Sequence, residues 1–181
     1  GGLGGASRAF VVHPNTWRVI RVDNDPQFAS VPHTRVLDVL EWMDWIDSIP
    51  VPEVIWASVP CTEFSLAANA HRPRPENPDL RILEAVLAII DHFRPRIWVI
   101  ENVAGACRYF EPILGRHFQS IGPFFLWGSC PYLCVPRSFT HSKTKGDLAK
   151  TNNAALRAQI PLEISRALFD SVVNQQTLEG F

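Results

Sequence analysis

An amphipathic stretch, Leu80–Phe93, sits between two apolar runs, Val54–Val59 and Arg96–Val103 (RIWVIENV), and this succession constrains the fold more than any other feature of the chain. Within the stretch, Leu83, Val86, Leu87 and Ile90 share one face at helical spacing, whereas each flanking run reads as a buried strand. Strand, helix and strand in this order form a βαβ unit. Upstream, Trp17–Asp23 and Val36–Val39 read as short strands and Glu41–Ile49 as a short helix, so the rhythm repeats. The expectation is an α/β fold: a mostly parallel sheet with helices on both faces, whose ligands sit at the carboxyl ends of the strands. Pro123–Trp127 and Arg137–Thr140 read as a final antiparallel pair joined through Gly128–Pro136. A C-terminal helix starts at Ile160-Pro161, with Ile164, Leu168 and Val172 on one face.

Composition narrows the function classes. At 181 residues with 46% hydrophobic and 19% charged, the chain reads as one catalytic-sized domain over residues 1–181, and dominant disorder is excluded. Its formal charge of −1 gives no global footprint for a polyanion, so any nucleic-acid contact must be local. No apolar run approaches the roughly 20 residues of a membrane span, and four irregularly spaced cysteines do not make a disulfide framework. These features point to a soluble cytoplasmic protein without a membrane partner.

Four short segments carry possible chemistry. In Gly2-Leu3-Gly4-Gly5 the missing side chains let backbone amides approach a ligand, although a plain tight turn uses the same residues. A glycine loop of this kind normally follows a strand, so a leading strand before Gly1 is expected in a longer chain. About twenty residues on, Asp23 and Asn24 close a strand where a carboxylate can take both hydroxyls of a ribose. Asp38, near the end of the next strand, can accept from an adenine amino group or simply cap a helix. Pro60-Cys61 follows the buried strand Val54–Val59 and presents a thiol at its carboxyl end. That thiol suits a nucleophile, and a small buried hydrophobe is the alternative. Glu101-Asn102 ends a strand too apolar to carry a carboxylate elsewhere, and either shares the crevice with Cys61 or serves a structural ion pair. A thiol and a carboxylate together suit attack on an electron-poor ring with proton delivery to a ring nitrogen.

Taken in order, these segments resemble the C5-cytosine DNA methyltransferase family, in particular its compact, phage-type members. Gly2–Gly5 resemble the cofactor glycine motif, Asp23 the ribose acid, Asp38 the adenine contact, Pro60-Cys61 with Phe64-Ser65 the nucleophile motif, and Glu101-Asn102-Val103 the glutamate motif. Asp79, Arg81 and Leu83 resemble the start of the family's intervening helix. The resemblance implies a Rossmann-like S-adenosylmethionine-dependent methyltransferase fold, S-adenosyl-L-methionine as cofactor and DNA, duplex or single-stranded, as partner. It also implies that Gly2, Leu3, Gly4, Gly5, Asp23, Asn24, Asp38 and Pro60 line the cofactor site, and that Cys61, Glu101, Asn102 and Arg137 are catalytic.

The chain departs from the family pattern in three places. Thr62 stands where the family usually carries Gln, Arg137 alone represents an arginine-rich motif, and no room remains between Arg137 and Ile160 for a large target-recognition domain. Recognition is therefore expected to be relaxed, directed to single strands, or supplied by a partner protein. The run Arg137–Lys150, with Arg137, Lys143, Lys145 and Lys150 against Asp147, is either a phosphate contact or a solvated basic loop. The proline-rich segment His71–Pro78 reads as a charged loop. Cys130 and Cys134 with His141 or His117 lack the second paired motif of a structural zinc site, so no metal is expected. A catalytically silent binding module is the main alternative function; a nicotinamide oxidoreductase leaves Pro60-Cys61 and Glu101-Asn102 unexplained.

Overall fold

The computed structural model describes residues 2–65, 75–141 and 158–179, with side chains of the last helix described to Gln175. The chain divides into two compact units, Gly1–Asp38 with Pro131–Phe181, and Val39–Cys130. Each is built around its own elements.

The larger sheet belongs to the Val39–Cys130 unit. Its strands are β3 (Val54–Ser58), β4 (Ile97–Asn102), β5 (Gln119–Ile121) and β6 (Phe124–Ser129), following β1 (Arg21–Asp23) and β2 (Thr34–Val36) of the other unit in chain order, and they lie in the order β3-β4-β6-β5. β3 and β4 are parallel, with Val54 opposite Ile97 and Ser58 opposite Glu101. β4 pairs antiparallel with β6, and β6 antiparallel with β5. The sheet is therefore mixed, rather than mostly parallel as the apolar runs suggest.

Between β3 and β4 runs helix α3 (Arg81–Phe93), the crossover expected from Leu80–Phe93. Its buried residues Leu83, Val86 and Ile90 recur at helical spacing. Arg94 ends it in the left-handed conformation, φ 48°, with its N–H on the Ile90 carbonyl, and Pro95 prevents continuation. Arg96 bonds the Glu53 carboxylate through Nε and Nη2 at 3.1 and 2.8 Å, clamping the amino ends of β3 and β4. β4 is central and buried along nearly its whole length, which explains its unbroken apolar run. The core gathers Val59, Phe64, Leu83, Val86, Ile100, Tyr109, Phe110 and Trp127. Helix α4 (Cys107–Leu114) brings Tyr109 and Phe110 into it. A shorter helix, α2 (Trp42–Trp45), flanked by 3-10 turns at Val39–Glu41 and Ile46–Ser48, replaces the single helix expected over Glu41–Ile49.

In the other unit, β1 (Arg21–Asp23) and β2 (Thr34–Val36) form a two-stranded parallel sheet. Helix α1 (Arg8–Val11) follows a 3-10 turn at Gly5–Ser7, and helix α5 (Leu162–Glu179) buries Ile164, Leu168 and Val172, the expected face. Phe10 packs edge-on against both Trp17 and Phe169, with ring centroids 5.1 and 5.3 Å apart. Ser165, fully buried, accepts from the Ala9 N–H at 3.0 Å and donates to the Ala6 carbonyl at 2.7 Å, which fastens the chain's opening turns to α5.

Three strand expectations shift. Trp17 is held in a turn, its N–H on the His13 carbonyl at 2.9 Å, so the strand expected from Trp17 begins at Arg21. The strand expected over Val36–Val39 is Thr34–Val36, which leaves Asp38 just past its carboxyl end. Arg137–Thr140 is not a strand: Phe139 donates to the Pro136 carbonyl in a turn. The hairpin partner of β6 is instead β5, joined to it by Gly122-Pro123, because a tight turn brings Gln119–Ile121 alongside at little entropic cost. Among the described residues no helix is long and apolar enough to cross a membrane.

Candidate active site

Pro60 and Cys61 begin the loop that leaves the carboxyl end of β3, and Glu101 and Asn102 close the neighbouring parallel strand β4. The two segments thus emerge side by side at one end of the sheet. Asn102 is 1% exposed, and its side-chain Nδ2 donates to the Val59 carbonyl at 3.0 Å, immediately before Pro60. Its Oδ1 accepts from the Val103 N–H at 2.8 Å, so both ends of the amide are used to shape the strand ends.

After Pro60 the chain turns sharply. The Cys61 carbonyl accepts from the N–H groups of Phe64 and Ser65 at 3.1 and 2.8 Å. Phe64 is 2% exposed and its ring lies 5.2 Å from Phe110 and 5.6 Å from Tyr109, which anchors the loop in the core. Gly105 completes the seat: a Cβ there would lie 1.9 Å from the Phe64 carbonyl oxygen, so the residue must be glycine for the loop to sit so close. The Glu63 carboxylate accepts from the Asp79 N–H at 2.7 Å and ties the loop to the entry of α3. There Asp79 forms an exposed ion pair with Arg81 at 2.7 Å, and Arg81 pulls the Asp79 carboxyl from the ordinary 3.8 down to about 2. Cys61 is half-buried and Glu101 is 4% exposed. A partly accessible thiol on an anchored turn, with a buried carboxylate ending the adjacent strand, is a geometry for covalent attack assisted by a proton donor.

The other unit brings the glycine loop against Asp23. Asp23 Oδ2 accepts from the Gly2 N–H at 2.6 Å, and Oδ1 from the Asp25 N–H at 2.9 Å. Asp23 ends β1, Asn24 follows it exposed, and Asp38 lies beyond β2, so both acids stand at the carboxyl ends of parallel strands. Gly2 (φ 54°) has open space where a side chain would be, which leaves its backbone approachable. Gly4 and Gly5 are small for the protein's own packing. A Cβ on Gly4 would meet the Arg21 guanidinium, and one on Gly5 the Ile160 backbone. Arg21 is itself nearly buried, donates to Ser7 Oγ and the Pro32 carbonyl, and has its pKa lowered by that burial. A strand-end carboxylate bonded to the glycine loop fits a nucleoside-bearing cofactor.

Residues 34–111 match the family model described as C-5 cytosine-specific DNA methylase. That segment is similar to the C-5 cytosine-specific DNA methylase family and spans less than half of the chain. No curated protein matches the chain.

The matched segment runs from β2 to α4 and contains Asp38, Pro60, Cys61, Glu101 and Asn102. Gly2, Leu3, Gly4, Gly5, Asp23, Asn24 and Arg137 lie outside it. Arg137 is exposed in the turn after Pro136. The basic run continues from it over 142–150, outside the described residues, as do residues 71–74 of the proline-rich loop. Sequence reasoning passed over Gly105 and the bonding role of Glu63. Only a contact across forty residues reveals the first, and the second needs the fold of the loop against α3.

Proposed function

We propose that this protein is a DNA (cytosine-5-)-methyltransferase whose nucleophile is Cys61. The reading rests above all on the pairing of the Pro60-Cys61 turn with Glu101-Asn102 at adjacent parallel strand ends, within the segment that matches the methylase family model. Proteins of this family are methyltransferases acting on cytosine in DNA, and they use S-adenosyl-L-methionine.

In the proposed mechanism the Cys61 thiolate adds to C6 of the target cytosine, forming a carbon–sulfur bond and shifting the ring's electron pair to C5. Glu101 delivers or holds a proton at N3 and stabilises the adduct. S-adenosyl-L-methionine, when bound, supplies the electrophilic methyl group that C5 attacks. Loss of the C5 proton to a base then expels Cys61 and restores the aromatic ring. Asn102 positions the Cys61 loop through the Val59 carbonyl. Gly2, Leu3, Gly4, Gly5, Asp23, Asn24, Asp38 and Pro60 bind the cofactor, with Asp23 on the ribose and Asp38 on the adenine. Arg137 contacts the target strand.

The target base leaves the stack to reach a thiol seated on the protein, at a cost of about a few kcal/mol that is least in single-stranded DNA. We infer that recognition is relaxed or supplied by a partner protein, and that the protein acts in the cytoplasm as a single catalytic domain.

The test is transfer of labelled methyl from S-adenosyl-L-methionine to single- and double-stranded DNA, with base analysis of the product. Labelled 5-methylcytosine from the unaltered chain and none from Cys61→Ala is the expected result. Glu101→Gln should lower the rate about 10²–10⁴-fold, the usual range for a positioned proton donor. Cofactor binding without transfer would favour a catalytically silent module.

A further inference from the structure

Away from the Cys61 loop, three side chains of different chemistry converge beside β6. Cys107 and Glu111 are four residues apart on α4 and therefore share a face. Gly115 ends the helix, and the chain returns so that His117 Nδ1 lies 2.9 Å from Glu111 Oε1. One sulfur, one carboxylate oxygen and one ring nitrogen all lie within 4.8 Å of one another, and all three residues are half-buried. We propose that Cys107, Glu111 and His117 form a zinc site with three protein ligands and an open fourth position.

The donor set chooses the metal. Magnesium and calcium take oxygen ligands, whereas a thiolate, an imidazole and a carboxylate together suit Zn²⁺. Tetrahedral zinc with bonds of about 2.0–2.3 Å requires only modest adjustment of the triad, including widening of the 2.9 Å Glu111–His117 contact. The imidazole is already oriented: its ring packs edge-on against Phe125 and Trp127, at centroid distances of 4.9 and 5.9 Å. Without a cation, burial and the Glu111 carboxylate push the Cys107 thiol pKa up. Binding therefore breaks the S–H bond, forms a Zn–S bond and releases one proton to solvent.

Without a metal, the Glu111 carboxylate pairs with His117 and hydrogen-bonds the Cys107 thiol, so one carboxylate already holds the other two groups together. Zinc would fix α4, whose Tyr109 and Phe110 seat Phe64 of the Cys61 loop. The site is independent of the methyl-transfer reading, since none of its ligands belongs to the proposed chemistry.

The purified chain, stripped with a chelator, is titrated with Zn²⁺ against a chromogenic competitor, and with Co²⁺ as a spectroscopic substitute. The expected result is one equivalent bound, with a thiolate-to-cobalt charge-transfer band. Cys107→Ser and His117→Gln should each weaken Zn²⁺ binding by at least about tenfold and remove or alter that band. A Cys130→Ser/Cys134→Ser double variant should bind as the unaltered chain does. Circular dichroism of each apo variant separates lost ligation from lost folding, and Glu111→Gln provides a milder second probe. No binding by the folded chain, no thiolate band, or binding that survives Cys107→Ser and disappears in the Cys130/Cys134 variant would overturn the site.

Discussion

Asn102 Nδ2 donates to the Val59 carbonyl at 3.0 Å, joining the end of β4 to the residue that precedes Pro60. Pro60 itself has no N–H to offer, so this bond gives the strand end a fixed partner where the ladder can no longer do so. Asn102→Ala should leave a buried carbonyl unsatisfied and cost about 1–3 kcal/mol in denaturant unfolding. Asn102→Asp, which puts an acceptor against an acceptor, should cost at least as much and also slow formation of a Cys61 adduct.

Gly105 sets the height of the Cys61 loop. Because its Cβ would stand 1.9 Å from the Phe64 carbonyl oxygen, Gly105→Ala must displace backbone rather than a flexible side chain. The expected cost is about 1–3 kcal/mol, typical of overpacking, read as a lower denaturation midpoint with a slower Cys61 reaction. Phe64→Ala should cost about 3–5 kcal/mol by emptying the loop's anchor site.

The exposed Asp79–Arg81 pair makes a pH-dependent contribution with a defined sign. Its folded pKa of about 2 lies below the ordinary 3.8, so the stabilisation is complete above the ordinary value and is lost as pH falls through about 2. Carboxyl carbon chemical shifts should place the Asp79 midpoint near that low value. In Arg81→Ala the midpoint should return towards 3.8; no movement would assign the shift to another cause.

Ser165 holds the opening turns of the chain to α5 through Ala9 and Ala6. Ser165→Ala leaves the buried Ala9 N–H and the part-buried Ala6 carbonyl without that partner and should cost about 1–3 kcal/mol. Hydrogen exchange at the Ala9 amide should accelerate at the same time.

Much of the Val39–Cys130 unit was legible in the sequence because its signals are long. Val54–Val59, Leu80–Phe93 and Arg96–Val103 correspond to β3, α3 and β4 to within a residue at each end. The short elements were less legible. Gln119–Ile121 has little apolar content and becomes a strand because Gly122-Pro123 returns the chain onto β6. Trp17 looks like strand material, yet its ring is used against Phe10 and Phe169 while its backbone closes a turn. At the candidate site, the order of Pro60-Cys61 and Glu101-Asn102 marked the two loops that parallel strands bring together. Their supports were hidden, since Gly105 and Glu63 act through contacts distant in sequence. The Cys107, Glu111 and His117 cluster escaped notice because its spacing follows a helix and a turn, not a paired ligand motif.

The most direct measurement of the Cys61 mechanism uses DNA carrying 5-fluorocytosine with S-adenosyl-L-methionine. Fluorine at C5 cannot leave as a proton does, so elimination stops and the thiol remains bonded to C6. The expected result is a denaturation-resistant protein–DNA adduct whose modified peptide contains Cys61, with none formed by Cys61→Ala. An undiminished adduct in Cys61→Ala would contradict the assignment of Cys61 as nucleophile.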